Sequence, residues 1–349
     1  MKGILYVGAA QPADGPNTRG IYRRAASDGA WTRLEKGLPA DLQVNCIAAR
    51  QDNPRSLYIG TQKGLFHSAD GGDSWKDCGL EVGEKDIYSI LLHPSDPATI
   101  YVGLDYAAVA KTTDGGKTWR YLPTVQPAGA IDGCFPVRVL RMALNPAKPD
   151  EVYAAMEVGG ITRSLDGGET WEDMSHDLIE MAKTPHLKSK ILSDNETEGM
   201  MDLHALTISA AQPGTVWVAN RMGVFISTDR GKHWKEFGIR RFSDLSYGRD
   251  IMVSPNDPNV FYAALSRSAR GDAGSLYRST DKGETWQRVD HDVDVNSTMM
   301  SVTVSSKDPD RIYCVARLGQ VFGTEDGGKT WECMTMPEGV VDLRAVACI

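Results

Sequence analysis

The 349-residue chain lacks any apolar run long enough to cross a membrane as a helix, which excludes a helical span. It also lacks a basic stripe: 46 Asp and Glu outnumber 38 Lys and Arg, for a net charge of −8. Phosphate backbones are repelled at long range by such a surface, so no nucleic-acid partner is expected. None of the six cysteines stands in CxxC spacing, which argues against thiolate metal knots and dithiol redox motifs. Cys46, Cys314 and Cys348 fall in predicted strands, while Cys78, Cys134 and Cys333 lie near strand ends. Reduced thiols are the natural reading, with a disulfide between adjacent strands left open. There is no GxSxG elbow, no HExxH, no GxGxxG after a strand and no P-loop, so the usual motif-borne hydrolase, zincin and nucleotide chemistries are missing. The opening "MKGILYVGAAQPADG" has one Lys and a short apolar run and is needed as a strand. It therefore reads as part of the fold rather than as a signal peptide, and the expected location is cytoplasmic.

What the chain does contain is repetition. "SADGGDSW", "TTDGGKTW", "SLDGGETW", "STDRGKHW", "STDKGETW" and "TEDGGKTW" end at Trp75, Trp119, Trp171, Trp234, Trp286 and Trp331. A degenerate copy, "ASDGAW", ends at Trp31, and the spacings between successive tryptophans are 44, 44, 52, 63, 52 and 45 residues. Periods of this size belong to stacked or radial repeats. A second motif keeps step with the first, a proline turn followed by an apolar strand bearing an aromatic: "NPRSLYIG", "DPATIYVG", "KPDEVYAA", "QPGTVWVA", "DPNVFYAA" and "DPDRIYCV". Each unit reads as four short strands separated by turn signals, which is one propeller blade.

The expected fold is all-β: a single seven-bladed β-propeller of four-stranded blades spanning residues 1–349. The chain opens on the second strand of a blade, and the C-terminal "VVDLRAVACI" supplies the missing first strand, closing the ring and removing open edges. In each box, Asp70, Asp114, Asp166, Asp229, Asp281 or Asp326 can accept backbone N–H groups in a hairpin where Gly supplies left-handed geometry. The following Trp fills the gap between blades. Acidic ligands are too few for a calcium loop, so the boxes read as scaffold.

The pattern Ser/Thr-x-Asp-x-Gly-x-Thr-Trp resembles the Asp-box, or BNR, repeat of a propeller superfamily that includes sialidases, xyloglucan-degrading glycosidases, sortilin-type receptors and photosystem II assembly factors. The resemblance covers nearly the whole chain and implies the fold. It says little about function, because the box hairpin lies away from the known active sites of that superfamily.

The propeller class also implies that ligands sit over the central channel, on the face that gathers the starts of the innermost strands and the turns after the second strands. Aligning blades on their prolines places Asn45, Tyr88, Arg138, Arg141, Asp202, His204, Arg249, Asp250, Met299, Asp342 and Arg344 in the first group. The turns add Lys63, Tyr106, Glu157, Arg221, Arg267 and Arg317. Arginine forks suit a carboxylate, sulfate or phosphate, and Asp202, Asp250 and Asp342 are available as internal counter-charges. The candidate ligand-binding residues are thus Tyr88, Arg138, Arg141, Arg221, Arg249, Arg267, Arg317 and Arg344. His204 reads either as a hydrogen-bonded core residue or, facing the channel beside Asp202 or Glu157, as a general base; Asp250 completes the candidate catalytic set.

The largest departure from the repeat is an insertion at about 173–201, in which "HDLIEMAK" is helical, Pro185 stops it and "SDNETEG" forms an acidic loop. An insertion on the binding face suits a lid. Its His176 and His186, with His204 and a carboxylate such as Glu198, compose a candidate divalent-metal site; no other cofactor is expected. The loops carrying Arg240, Arg241, Tyr247 and Arg270 reach for the same face.

Three functions follow. The first is an enzyme, hydrolase or lyase, acting on a small anionic molecule. The second is a protein-binding or assembly scaffold, as the likeness to photosystem assembly factors implies. The third is a glycoside hydrolase acting on acidic or branched glycans. The sialidase pattern does not carry over, since its Arg-Ile-Pro motif is missing and no Tyr–Glu pair matches.

Overall fold

Short β-branched and aromatic strands separated by Pro and Gly turns cannot bury both faces alone, so they stack as sheets around an axis. The computed structural model describes residues 3–10, 17–25, 29–123 and 135–349. They form seven four-stranded antiparallel sheets, one per repeat. Numbered along the chain, blades 1 to 7 have as innermost strands Leu343–Cys348, Val44–Ala49, Ile87–Leu92, Arg138–Asn145, Leu203–Ile208, Tyr247–Val253 and Met299–Val304. Closure is as expected: Leu5 pairs with Cys348 and Val7 with Val346, so the last strand completes the first blade. Each interface between neighbouring blades is a dry cluster, for example Tyr153, Leu206, Val218, Phe225 and Trp234 between blades 4 and 5.

The boxes behave as self-satisfied turns. In one, Asp281 Oδ1 accepts the Thr285 N–H at 2.9 Å and Oδ2 accepts its hydroxyl at 2.6 Å. Ser279 Oγ accepts the Gly283 N–H at 2.8 Å, with Gly283 at φ 86°. The same turn also latches neighbours. Tyr6 and Tyr101, aromatics of the second strands, donate to the carbonyls of Gly71 and Gly167 in the next blade's box, while the matching Tyr153 donates to Glu151 at 2.6 Å with the Arg230 carbonyl at 3.2 Å. Arg23, Lys111 and Arg163 donate to those same carbonyls, and Arg278 to that of Gly327. Trp119, Trp234 and Trp331 donate backwards, to Cys78, Met174 and Val289 carbonyls of the preceding blade.

These hydrogen bonds hold the Asp166 and Asp281 carboxyls down at about 2, the side-chain bonds from Thr170 and Thr285 contributing most. A carboxyl depressed on folding contributes stability that is complete above its unfolded value and lost as pH falls through its folded one. Urea unfolding followed across the acid range is therefore expected to show its steepest loss from about pH 4 down to about pH 2. Thr285→Val should move that loss to higher pH; an unchanged profile would contradict the assignment. The fourth box differs, because His233 replaces the hydroxyl residue, and its bond to Asp229 at 2.5 Å pulls the imidazole pKa up.

The insertion forms a helix at His176–Met181, a 3-10 turn at Pro185–Leu187 and a short helix at Glu198–Met201. Pro185 opens the 3-10 turn instead of merely ending the helix. Leu178, Leu187 and Met200 join the core between blades 4 and 5. The five described cysteines are free thiols; Cys134 lies outside the described residues.

Candidate functional site

Every innermost strand carries a β-bulge near its start. Partner register slips between Val44 and Cys46, Ile87 and Ser89, Val139 and Arg141, Leu203 and Ala205, Gly248 and Asp250, and Met299 and Ser301; in blade 1 it slips between Leu343 and Ala345. A bulge re-aims the extra residue. The seven extra residues are Asn45, Tyr88, Leu140, His204, Arg249, Met300 and Arg344, and all line one cavity of about 610 Å³ at the mouth of the channel.

Arg138, Arg141, Arg221, Arg249, Arg270, Arg317 and Arg344 line this cavity, against Asp86, Glu157, Asp202 and Asp342. Behind the wall, Asp250 takes Arg141 Nη2 at 2.8 Å on one oxygen and the Val302 N–H at 3.1 Å on the other. Arg138 bonds Glu157 at 2.9 Å, lies 3.3 Å from Asp105, and has its guanidinium over the Tyr88 and Phe135 rings. Arg344 bonds Asp342 at 3.0 Å and Asn45 at 2.7 Å, while Arg317 faces the other Asp342 oxygen at 3.3 Å. Of the counter-charges foreseen, Asp250 takes Arg141 and Asp342 takes Arg344, whereas Asp202 faces His204 and Arg221 instead of Arg249.

Arg249 is the exception. Its nearest carboxylate is Glu157, at 4.0 Å, too far for a hydrogen bond. Arg270, exposed at the rim, makes no ion pair among the described residues.

His204 is buried, with Nδ1 donating to the Gly248 carbonyl at 2.8 Å and Nε2 lying 3.1 Å from Asp202 and 3.4 Å from the Tyr247 hydroxyl. Burial works against the Asp202 charge, but His204, then Arg221 and Arg249, overcome it and hold the carboxyl below its usual range. Burial pushes Asp86 and Asp105 up, raises Tyr247, and carries the channel-facing Cys46 thiol to about 12, where it is no nucleophile. Donor atoms of Glu157, Asp202 and His204 lie within 4.8 Å of one another. Arg138 lies against Glu157 and Arg221 against Asp202, the two carboxylates of this set.

Several expected members are elsewhere. The predicted metal set is not assembled: His176 is exposed beside Asp177, and His186 bonds Glu236 at 3.0 Å. Glu198 is buried, its carboxylate gathering the N–H groups of Ile191, Leu192 and Ser193. Arg267 is exposed and pairs with Asp272 instead of lining the cavity. Lys63 donates to the Ala40 carbonyl, and Tyr106 is exposed near Lys85. Met299 is core, and Met300 takes its place at the channel. Leu140 and Ile191 were missed, the latter brought in by the insertion.

The chain is thus an Asp-box seven-bladed propeller with an arginine-lined channel mouth. A family model described as the DUF6242 beta propeller domain matches residues 13–240, and the chain belongs to that family. A second, described as Sortilin, neurotensin receptor 3, matches residues 274–346. The chain is 24% identical to the xyloglucanase Xgh74A of Acetivibrio thermocellus over 59% of its own length and 26% of that protein's. It spans about a quarter to a third of the length of such curated relatives. The solved structure of YCF48 from Cyanidioschyzon merolae is similar at a TM-score of 0.60 and 16% identity, covering 90% of each chain. A structure of YCF48 bound to D1 peptide matches at a TM-score of 0.56 and 15% identity, over 85% of this chain and 82% of that one.

Proposed function

We propose that the channel mouth binds the anionic group of a ligand, a carboxylate or phosphate, as a recognition site. The observation that carries this is Arg249, whose guanidinium faces the cavity with its nearest carboxylate at 4.0 Å. Arg270 and the half-exposed Arg141 stand around the same space. A guanidinium held in place by burial and by Tyr247, yet with no carboxylate within hydrogen-bonding reach, is preorganised for a bidentate anion. Binding is favoured over turnover because the proton-handling groups are engaged: both His204 nitrogens and both Asp250 oxygens have protein partners. With Asp202 also buried and paired, glycan hydrolysis, the activity named for the xyloglucanase relatives, has less support here. A peptide offering its carboxylate is the second reading, prompted by the peptide complex of the similarly sized YCF48 propeller.

Thermal unfolding in the presence of acetate, citrate, phosphate and sulfate tests the proposal, since a ligand of the folded state raises its stability. At a hundred times Kd the gain is about 2.7 kcal/mol, a readily measured rise in Tm. Saturable shifts with carboxylates or phosphate are expected. No shift with any of these anions would remove the proposal.

A further inference from the structure

We propose that the ligand is an amphipathic anion, with its charged head on the arginines and an unbranched apolar arm descending the channel. This rests on the anion-binding reading above and adds the chemical class of the molecule. The cavity wall has two zones. Among the seven bulge residues, Leu140 and Met300 are apolar, and both are only half-buried although they face the polar mouth. Two residues beyond Asn45, Met300 and Arg344 along their strands come Ile47, Val302 and Val346, which also line the cavity, joined by Ala345; Ile47 is half-buried, while Val302, Ala345 and Val346 are buried. At about 3.3 Å per residue, this second tier lies roughly 7 Å further down the strands.

Water alone would be better matched by polar side chains at these positions, because partly exposed Ile, Leu and Met side chains forfeit burial energy. An apolar wall beneath a ring of convergent charged groups is instead the usual form of a small-molecule site. A bare phosphate, or a glycan polar along its whole length, would leave the half-buried Leu140, Met300 and Ile47 side chains hydrated. A head group with an apolar arm covers them, and the arginines fix which end points outwards.

Calorimetric titration of the whole chain with acetate, butyrate, hexanoate and octanoate, and with alkyl phosphates of matching lengths, tests the inference. Affinity is expected to rise about three- to fourfold for each methylene buried. Dependence on length in either series supports the amphipathic class, and the steeper series identifies the preferred head. Leu140→Asn and Met300→Gln, both at half-buried positions that tolerate polarity, should weaken octanoate more than acetate. Arg249→Met should weaken every member. Acetate or phosphate binding with no gain along the series would overturn this inference and leave anion recognition standing. Equal losses for acetate and octanoate in the Leu140 and Met300 variants would overturn it too. Binding by no member, short or long, would take the anion reading down with it.

Discussion

Arg249→Met is expected to weaken the binding of a carboxylate or phosphate by about ten- to a hundredfold, because hydrogen bonds to a charged group are worth roughly 1.5–3 kcal/mol each. Methionine keeps most of the volume of the side chain, so the loss reports the guanidinium. Arg249 stands on its bulge with Tyr247 beside it and Glu157 at 4.0 Å, and these neighbours raise its pKa against the opposing effect of burial. It is charged at every accessible pH, so any pH dependence of affinity should come from the ligand and from cavity carboxylates such as Asp86, which burial pushes up, and not from Arg249. Arg249→Lys keeps the charge but loses the fork, and an intermediate affinity is expected. Calorimetry on wild type and both variants decides the matter: equal affinities would show that the anion sits elsewhere.

The second large effect concerns stability. Asp202→Ala should destabilise the fold by about 3–5 kcal/mol, the usual result of removing one partner from a buried ionic cluster. Asp202 faces His204 Nε2 at 3.1 Å and Arg221 Nε at 3.3 Å, and the side chains of Asp202 and His204 are almost wholly buried. Without the carboxylate, His204 Nε2 loses its partner and the Arg221 guanidinium its counter-charge where water hardly reaches. A fall in Tm of roughly 5–10 °C follows for a chain of this size. Asp202→Asn, which retains an acceptor oxygen, should cost less. A Tm within a degree of wild type for the alanine variant would show that the cluster is hydrated and energetically slight.

The fold was legible because it is written seven times over. Box tryptophans, proline turns and aromatic strands each mark a fixed place in a blade, so errors in one copy are corrected by the others. Ring closure was legible from the missing first strand. The blade-to-blade latches were not foreseen, although Tyr6, Tyr101 and Tyr153, with Arg23, Lys111 and Arg163, stand at matching positions in their strands. Alignment on the prolines was the weak link at the site, because it fixes the start of an inner strand only to within a residue or two. The bulge there adds one residue and re-aims it, so Met299 was chosen where the channel meets Met300, and Leu140 was passed over. The histidine set failed for a different reason: His176 and His186 lie on the outer side of an insertion whose inward contributions are apolar, Ile191 and the core residues Leu178 and Leu187. Sequence proximity to a motif does not say which way a helix turns.

The bulges make the channel mouth separable from the ring that carries it. Each blade presents one projecting residue on a backbone distortion that all seven share, and that residue is supernumerary to the ladder around it. The channel-facing surface therefore works like a dial of seven settings, currently Asn, Tyr, Leu, His, Arg, Met and Arg, of which only Arg344 and Asn45 are hydrogen-bonded to each other. Changing an unpaired setting such as Leu140 or Met300 leaves the strand register of every blade alone, so such a ring can alter the chemistry of its channel mouth by single exchanges while the scaffold stays the same.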